Sequence, residues 1–291
     1  MLEGRKWESE KREPGARVSE TRAGVGRGSL RAVLLRSSLL SHVPHAFSTR
    51  DGGVSAGHFA SLNFGNPSEL TGDRRDPVHN IQRNWEILRG AIGTPERRVA
   101  QVHQVHGGEV VTLRAGDDPC PEPSIKADAI VTDQANILAS VRVADCAPVL
   151  LASEDGRVVA AVHAGWCGVI AGAAANAVRA MREMHAVGGV RIVAAIGPCI
   201  SMSAFEVGAE VLDAFEARFG IDAAIVRRGP DGKGHVDLRA ALKRELREIG
   251  VAEVDVLDGC TMTEPERFFS HRGQKGLTGR MVAVIGVAGV R

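Results

Sequence analysis

VRVADCAPVLLASEDGRVVAAVHAGWCGVIAG, residues 141–172, decides how the rest of the chain is read. An apolar run, residues 147–152, begins directly after Cys146; a second, valine-rich run, residues 158–162, ends on His163. Between them Glu154, Asp155 and Gly156 are turn formers. The two runs predict a β-hairpin that returns Cys146 and His163 to the same end of adjacent strands. A thiol and an imidazole held together on rigid strands make half of a transition-metal site or a Cys–His nucleophilic pair. The turn at Ala164, Gly165 and Trp166 then feeds an alanine-rich helix expected over residues 168–184.

Composition narrows the function classes. The 291 residues are 44% hydrophobic, enough for a sizeable core, and no apolar run reaches membrane-spanning length, so no membrane partner is expected. Lys and Arg (36) balance Asp and Glu (35), which leaves no global basic field for nucleic acid. Tyrosine is absent, which removes tyrosyl acid–base chemistry. Five cysteines, Cys120, Cys146, Cys167, Cys199 and Cys260, are odd in number and widely spaced. That pattern fits a reducing cytoplasm better than a disulfide framework. Residues 1–28 are rich in Arg, Glu, Gly and Ser without apolar periodicity or a secretory apolar segment. They are expected to form a disordered tail, with the folded domain over residues 29–291.

Outward from the hairpin, residues 99–107, VAQVHQVHG, read as a strand with His103 and His106 on opposite faces, so only one faces a given pocket. Gly107 and Gly108 let the chain turn behind His106, which makes His106 the preferred one. FSTRDGGVS at 47–55 is a glycine-rich loop carrying Arg50, either an anion site or an ordinary turn with a solvated arginine. SLNFG follows at 61–65. Residues 77–92 have helical spacing, with Val78, Ile81, Trp85, Leu88 and Ile92 expected in the core. Cys120 lies in a loop at 116–123 and is given no role.

Further strands are expected at 31–40, 45–48, 127–132, 136–143, 190–196, 253–257 and 281–287. Helices are expected at 205–219, at 235–250 with Asp237 as N-cap, and at 263–269. Several strands precede the helices, which predicts an α/β fold: a layered mixed β-sheet core flanked by helices in a single domain. Neither a G-x-G-x-x-G after a strand nor a P-loop is present.

Ordered motifs add a family. QVHG (104–107), ADC-x-PVLL (144–151), VHAGW-x-G (162–168), IGPCIS (196–201), FEVG (205–208) and FFSHR…TGRM (268–281) occur in sequence, after FSTRDGGVS and SLNFG. From about Phe47 to the C-terminus the chain resembles the laccase-domain family, once called multicopper polyphenol oxidase-like. The resemblance implies a zinc-dependent purine nucleoside phosphorylase with adenosine deaminase and methylthioadenosine phosphorylase activity. Purine nucleosides and phosphate are the implied partners. The implied metal ligands are His106, Cys146 and His163, the residues the strand-end argument favours. One position departs: Cys167 stands where the family usually has Arg after HAGW.

Two histidines and a cysteine leave a fourth position open on Zn²⁺, as in catalytic sites. A water there is activated near neutral pH, which suits deamination at C6 of adenine. Asp145 is the candidate carboxylate for proton transfer, and Cys146 and His163 complete the candidate catalytic set. Phosphorolysis needs an anion site, for which Arg50, His271 and Arg272 are the candidates. Copper also fits a His₂Cys set. A laccase-type oxidase, however, needs a cluster rich in His-x-His pairs, and the 10 histidines include none, which disfavours that activity. A Cys–His hydrolase with Cys146 as nucleophile is the main enzymatic alternative. The resemblance also covers factors implicated in editing peptidoglycan precursors, and a non-enzymatic metal-binding protein is the third reading.

Overall fold

Three apolar layers follow from the alternation along the strands. In this computed structural model residues 19–23, 31–117, 125–185 and 189–289 are described. One sheet runs β1 (Ser19–Ala23), β2 (Ala32–Arg36), β3 (His45–Ser48), β15 (Met281–Ile285), β7 (Ile137–Val143) and β4 (Arg98–Ala100) from edge to edge. A second runs β14 (Glu253–Val256), β10 (Ile192–Ile196), β8 (Ala147–Ser153), β9 (Val159–Ala164), β6 (Ala129–Thr132) and β5 (Val110–Leu113). Both are mixed: β4 is parallel to β7, β5 to β6 and β14 to β10, while the other pairs within them are antiparallel. A small sheet of β11 (Glu206–Val207), β13 (Gly234–Val236) and β12 (Val226–Arg228) stands apart.

The two large sheets pack face to face. Phe47, Val141 and Ala283 of the first meet Ile130, Leu150 and Ala161 of the second in one buried layer. On β8 every residue is buried, because Leu150 and Ala152 enter that layer while Val149 and Leu151 face the helices. This is why the run carries no polar alternation. Helices α3 (Ala173–His185), α4 (Ala209–Phe219) and α5 (Leu238–Glu248) cover the second sheet through Val178, Phe215 and Leu242. The first sheet's outer face is covered by α1 (Val78–Ala91) through Leu88. The layering is helix, sheet, sheet, helix.

Several expectations need correction. The tail is not wholly unstructured: Ser19–Ala23 forms β1, antiparallel to β2 with Glu20 opposite Leu35. Backbone hydrogen bonds to an open sheet edge hold such a strand without an apolar pattern. The remainder of 1–28 lies outside the described residues, as does Cys120. The helix expected over 168–184 is two helices, α2 (Trp166–Ile170) and α3, because Gly172 takes a left-handed φ of 72° between them. The strand expected over 31–40 ends at Arg36, followed by a short 3₁₀ turn at Ser38–Leu40. Residues 263–269 make turns and no helix. The helix expected from 205 starts at Ala209, after the short strand β11. In α1, Val78 is 67% exposed in the first turn and is not core, whereas Leu88 is fully buried. Asp237 caps α5 as expected, accepting from the amides of Arg239 and Ala240.

Buried His45 on β3 gives the fold a pH dependence. Its Nε2 accepts from the Ser37 amide at 3.0 Å and its Nδ1 faces the Val43 carbonyl at 3.1 Å, an arrangement for neutral imidazole. Burial pushes its pKa from 6.5 down to about 4. The unfolded chain therefore binds the proton first, so this stabilisation is fully present above pH 6.5 and is lost as the pH falls toward 4. Denaturant unfolding across that window is expected to lose on the order of 3 kcal/mol through this group. The loss should be smaller by that amount in His45→Gln; equal slopes in the two proteins would contradict it.

Candidate metal centre

The hairpin delivers its two residues to one end. Ala147 pairs with Ala164 and Pro148 with His163, which sets Cys146, one residue earlier, beside the end of β9. His106 arrives from the loop after β4. That strand stops at Ala100, so the strand alternation does not extend to the histidines. His106 instead takes a left-handed φ of 62°, and His103 is an exposed residue bridged to Lys126. The ligand atoms of His106, Cys146 and His163 lie within 4.8 Å of one another. They form the one such donor group of three or more among the described residues. The two rings meet edge to face with centroids 4.9 Å apart. His163 is buried, Cys146 half-buried and His106 exposed, so the cluster opens to solvent on the His106 side. A Cβ on Gly165 would sit 3.0 Å from Cys146 Sγ and 3.0 Å from His106 Cδ2, so glycine lets the cluster close there without crowding.

Asp128, which no sequence motif marked, organises all of this. It is fully buried one residue before β6. Its Oδ1 accepts from His163 Nδ1 at 2.8 Å and from the His106 amide at 2.9 Å. Its Oδ2 accepts from the amides of Gly107 at 2.6 Å and Val105 at 3.3 Å. A carboxylate acceptor keeps the proton on His163 Nδ1 and turns Nε2 toward the cluster. Burial alone would raise the Asp128 pKa, but bonds from His163 and the Gly107 and His106 amides hold it below the usual range. Gln104 supplies a second anchor: its side chain accepts from the Arg142 amide at 2.9 Å and donates to the Arg142 carbonyl at 2.8 Å.

The electrostatics suit a metal. Burial would raise the Cys146 thiol, but the charge of His163 and hydrogen bonds from both imidazoles bring it down to about 6. Burial opposes protonation of His163, yet the Cys146 thiolate and Asp128 raise it to about 9. Two nitrogens and a thiolate converging, with a carboxylate behind one imidazole, fit a four-coordinate ion with one position left open.

Other expected site residues are placed differently. Asp145 does not point a free carboxylate at the cluster: Oδ1 accepts from Thr261 Oγ1 and Oδ2 from the Arg272 amide, each at 2.7 Å. At φ 92° it acts as a clamp between the hairpin and the loop of residues 270–277. His271 and Arg272 line a cleft of about 580 Å³ together with Glu69, Arg74 and Lys275. Arg272 Nη1 donates to the Glu206 carbonyl at 2.6 Å, and its guanidinium lies over Phe205. Arg50 is a brace. Its Nε donates to the Ala60 carbonyl at 2.8 Å, its Nη1 to the Pro265 carbonyl at 2.7 Å, and it stacks on Phe269. Those contacts tie the FSTRDGGVS loop to residues 265–269 and use two of the five guanidinium N–H donors. Cys167 is a free thiol on α2 whose pKa is raised by burial and by the nearby Cys146 charge.

The layered α/β fold carries, among the described residues, one strand-end His₂Cys group that could hold a metal ion. The family model for multi-copper polyphenol oxidoreductase laccase matches residues 44–288, and the chain belongs to that family. It is 38% identical over 255 residues to a Deinococcus radiodurans protein named purine nucleoside phosphorylase, covering 87% of this chain and 92% of that one. It is 37% identical over 239 residues to purine nucleoside phosphorylase YfiH of Escherichia coli, covering 82% and 91%. The crystal structure of YlmD from Geobacillus stearothermophilus superposes with a TM-score of 0.76 at 26% identity, covering 92% of this chain and 100% of that one.

Asp128→Asn tests the organising carboxylate. The amide cannot accept from His163 Nδ1 and three backbone amides with the same charge. Metal affinity should fall about ten- to a hundredfold in competition with a chromogenic chelator. An unchanged affinity would remove Asp128 from the account.

Proposed function

We propose that this protein is a zinc-dependent purine nucleoside phosphorylase acting on adenosine, inosine or guanosine, with adenosine deaminase and methylthioadenosine phosphorylase activities at the same centre. The observation that carries the reading is the His106–Cys146–His163 cluster with Asp128 behind it, in a chain whose relatives are named for that activity. Zinc is favoured over copper because two imidazoles and one thiolate with a neighbouring open side make a catalytic zinc ligand set, and the described residues offer no second donor group for further copper ions. We assign the activity to residues 29–291. A cytoplasmic setting is supported by the four described cysteines, all free thiols.

The protein's own residues prepare the reaction. When bound, the metal supplies a Lewis acid with one open position. Asp128 holds the Nδ1 side of His163 and so turns its Nε2 toward the cluster, where it would serve as a ligand. Cys146, with its thiol pulled down to about 6, is available as thiolate at neutral pH. The 580 Å³ cleft has the volume of a small-ligand site, and Arg74, Arg272 and Lys275, with His271 beside them, give it a cationic wall against a single acidic residue, Glu69. In phosphorolysis a phosphate oxygen bonds to C1′ of the ribose as the bond to the purine nitrogen breaks. Holding nucleoside and phosphate in line supplies most of the advantage over solution. Asp145, gripping the Arg272 amide, keeps the cleft wall in register with the hairpin.

One observation favours a second reading. The lowered Cys146 and raised His163 pKa values describe a thiolate–imidazolium pair, which in a metal-free protein is a nucleophile of the Cys–His hydrolase kind.

Inosine turnover separates them. Hypoxanthine should form only with phosphate present, stop on addition of a chelator and resume with Zn²⁺, while adenosine deamination continues without phosphate. Activity indifferent to chelator and phosphate, and abolished by iodoacetamide at Cys146, would replace the phosphorylase with the hydrolase.

A further inference from the structure

A pair of arginines is left over from the site described so far. Arg142 lies on β7, and Arg280 immediately precedes β15. The register sets Arg142 opposite Val282, so Arg280, two residues before Val282, projects from the same face beside it. The SLNFG segment closes over them: the Phe64 amide donates to the Arg280 carbonyl at 3.0 Å, and the Arg280 amide to Asn63 Oδ1 at 2.8 Å. Gly65 lets the backbone approach the Arg142 side chain closely at this point. A Cβ there would lie 3.1 Å from both Cδ and Nη1 of Arg142, and 3.7 Å from Cγ of Arg280.

Neither guanidinium forms an ion pair with a carboxylate among the described residues. Arg280 Nη1 reaches only the carbonyls of Thr278 and Gly279, at 3.4 and 3.0 Å. Burial lowers both pKa values, and the neighbouring Arg142 charge lowers that of Arg280 further. Two adjacent, partly desolvated cations are costly unless an anion joins them. Their surroundings tie them to the metal centre. Cys146, Asp145 and the cleft residue Glu69 all act electrostatically on Arg280, and Gln104 bonds the Arg142 backbone to the loop that carries His106.

We propose that Arg142 and Arg280, side by side next to the backbone at Gly65, form the binding site for inorganic phosphate. Two planar guanidinium forks suit a tetrahedral oxyanion, which offers each a pair of oxygens. The choice of phosphate rests on the proposed phosphorolysis; the anion site itself rests on the arginines. It takes the role first expected of Arg50, whose Nε and Nη1 are turned to carbonyls.

The test uses the full chain and the variants Arg142→Met, Arg280→Met and Gly65→Ala, each first checked for unchanged metal content. In thermal unfolding, inorganic phosphate should stabilise the wild type, with the half-saturating concentration about ten- to a hundredfold higher in each arginine variant. Gly65→Ala keeps both charges and presses a Cβ against the Arg142 side chain, and should shift that concentration in the same direction by a smaller factor. With inosine, the phosphate KM should rise by the same ten- to hundredfold while the inosine KM stays within about threefold. Adenosine monophosphate is titrated in parallel; stabilisation by it and not by inorganic phosphate would overturn the assignment. A phosphate response and phosphate KM within twofold of wild type in both arginine variants would also overturn it. A wild type that binds phosphate through these arginines but never cleaves inosine would leave the anion site standing and remove the phosphorylase reading.

Discussion

A single buried carboxylate, Asp128, sets the geometry on which the candidate centre depends. A charge with no exposure must find hydrogen bonds or be neutralised. This one finds an imidazole and three consecutive backbone amides, those of Val105, His106 and Gly107. The donors come from two places far apart in sequence, the loop after β4 and strand β9. The same contact that satisfies the charge therefore brings two ligands together. It also compensates the left-handed backbone of His106, which a non-glycine residue adopts only at a cost of about 1 kcal/mol or more. Cys146 completes the set because β8 and β9 pair in register up to Ala147 and Ala164.

The layers explain why the centre is rigid and still open. Both faces of β8 and β9 are covered, by the first sheet on one side and by α3 on the other. Their ends cannot shift without opening a packed layer. At the strand ends the cover stops, and His106 is exposed. Asp145 then couples this rigid end to the cleft: one oxygen holds Thr261 and the other the Arg272 amide. Substrate groups held by the cleft wall would be positioned relative to the ligands through a single residue next to Cys146.

Much of the centre was legible in sequence because it is local. Two apolar runs around Glu154, Asp155 and Gly156 specify a hairpin, and a hairpin specifies which residues share an end. His106 was distinguishable from His103 by Gly107, although the physical reason is the bend gripped by Asp128 and not strand alternation. Asp128 itself was hidden. Between Ala127 and Ala129 it looks like a strand start, and the one available signal was an acid inside an apolar run. Arg50 was expected at an anion site because a glycine-rich loop with an arginine suggests one; its two carbonyl contacts lie beyond any local pattern. The Pro265 carbonyl that occupies its guanidinium lies 215 residues away. The proximity of Arg142 and Arg280 was hidden for the same reason: it is a matter of β7–β15 register, which no local pattern encodes. Backbone signals misled at Gly172, where a left-handed glycine splits one expected helix, and at Ser19–Ala23, where an open sheet edge orders a segment of tail-like composition.

X-ray absorption at the metal edge of the protein as isolated tests the central claim most directly. It identifies the element and counts its neighbours without reference to activity. The ligand set of His106, Cys146 and His163 predicts zinc with one sulfur at about 2.3 Å and two imidazole nitrogens at about 2.0 Å, completed by one light atom. A spectrum with no sulfur neighbour, or with imidazole scattering from other than two rings, would contradict the account.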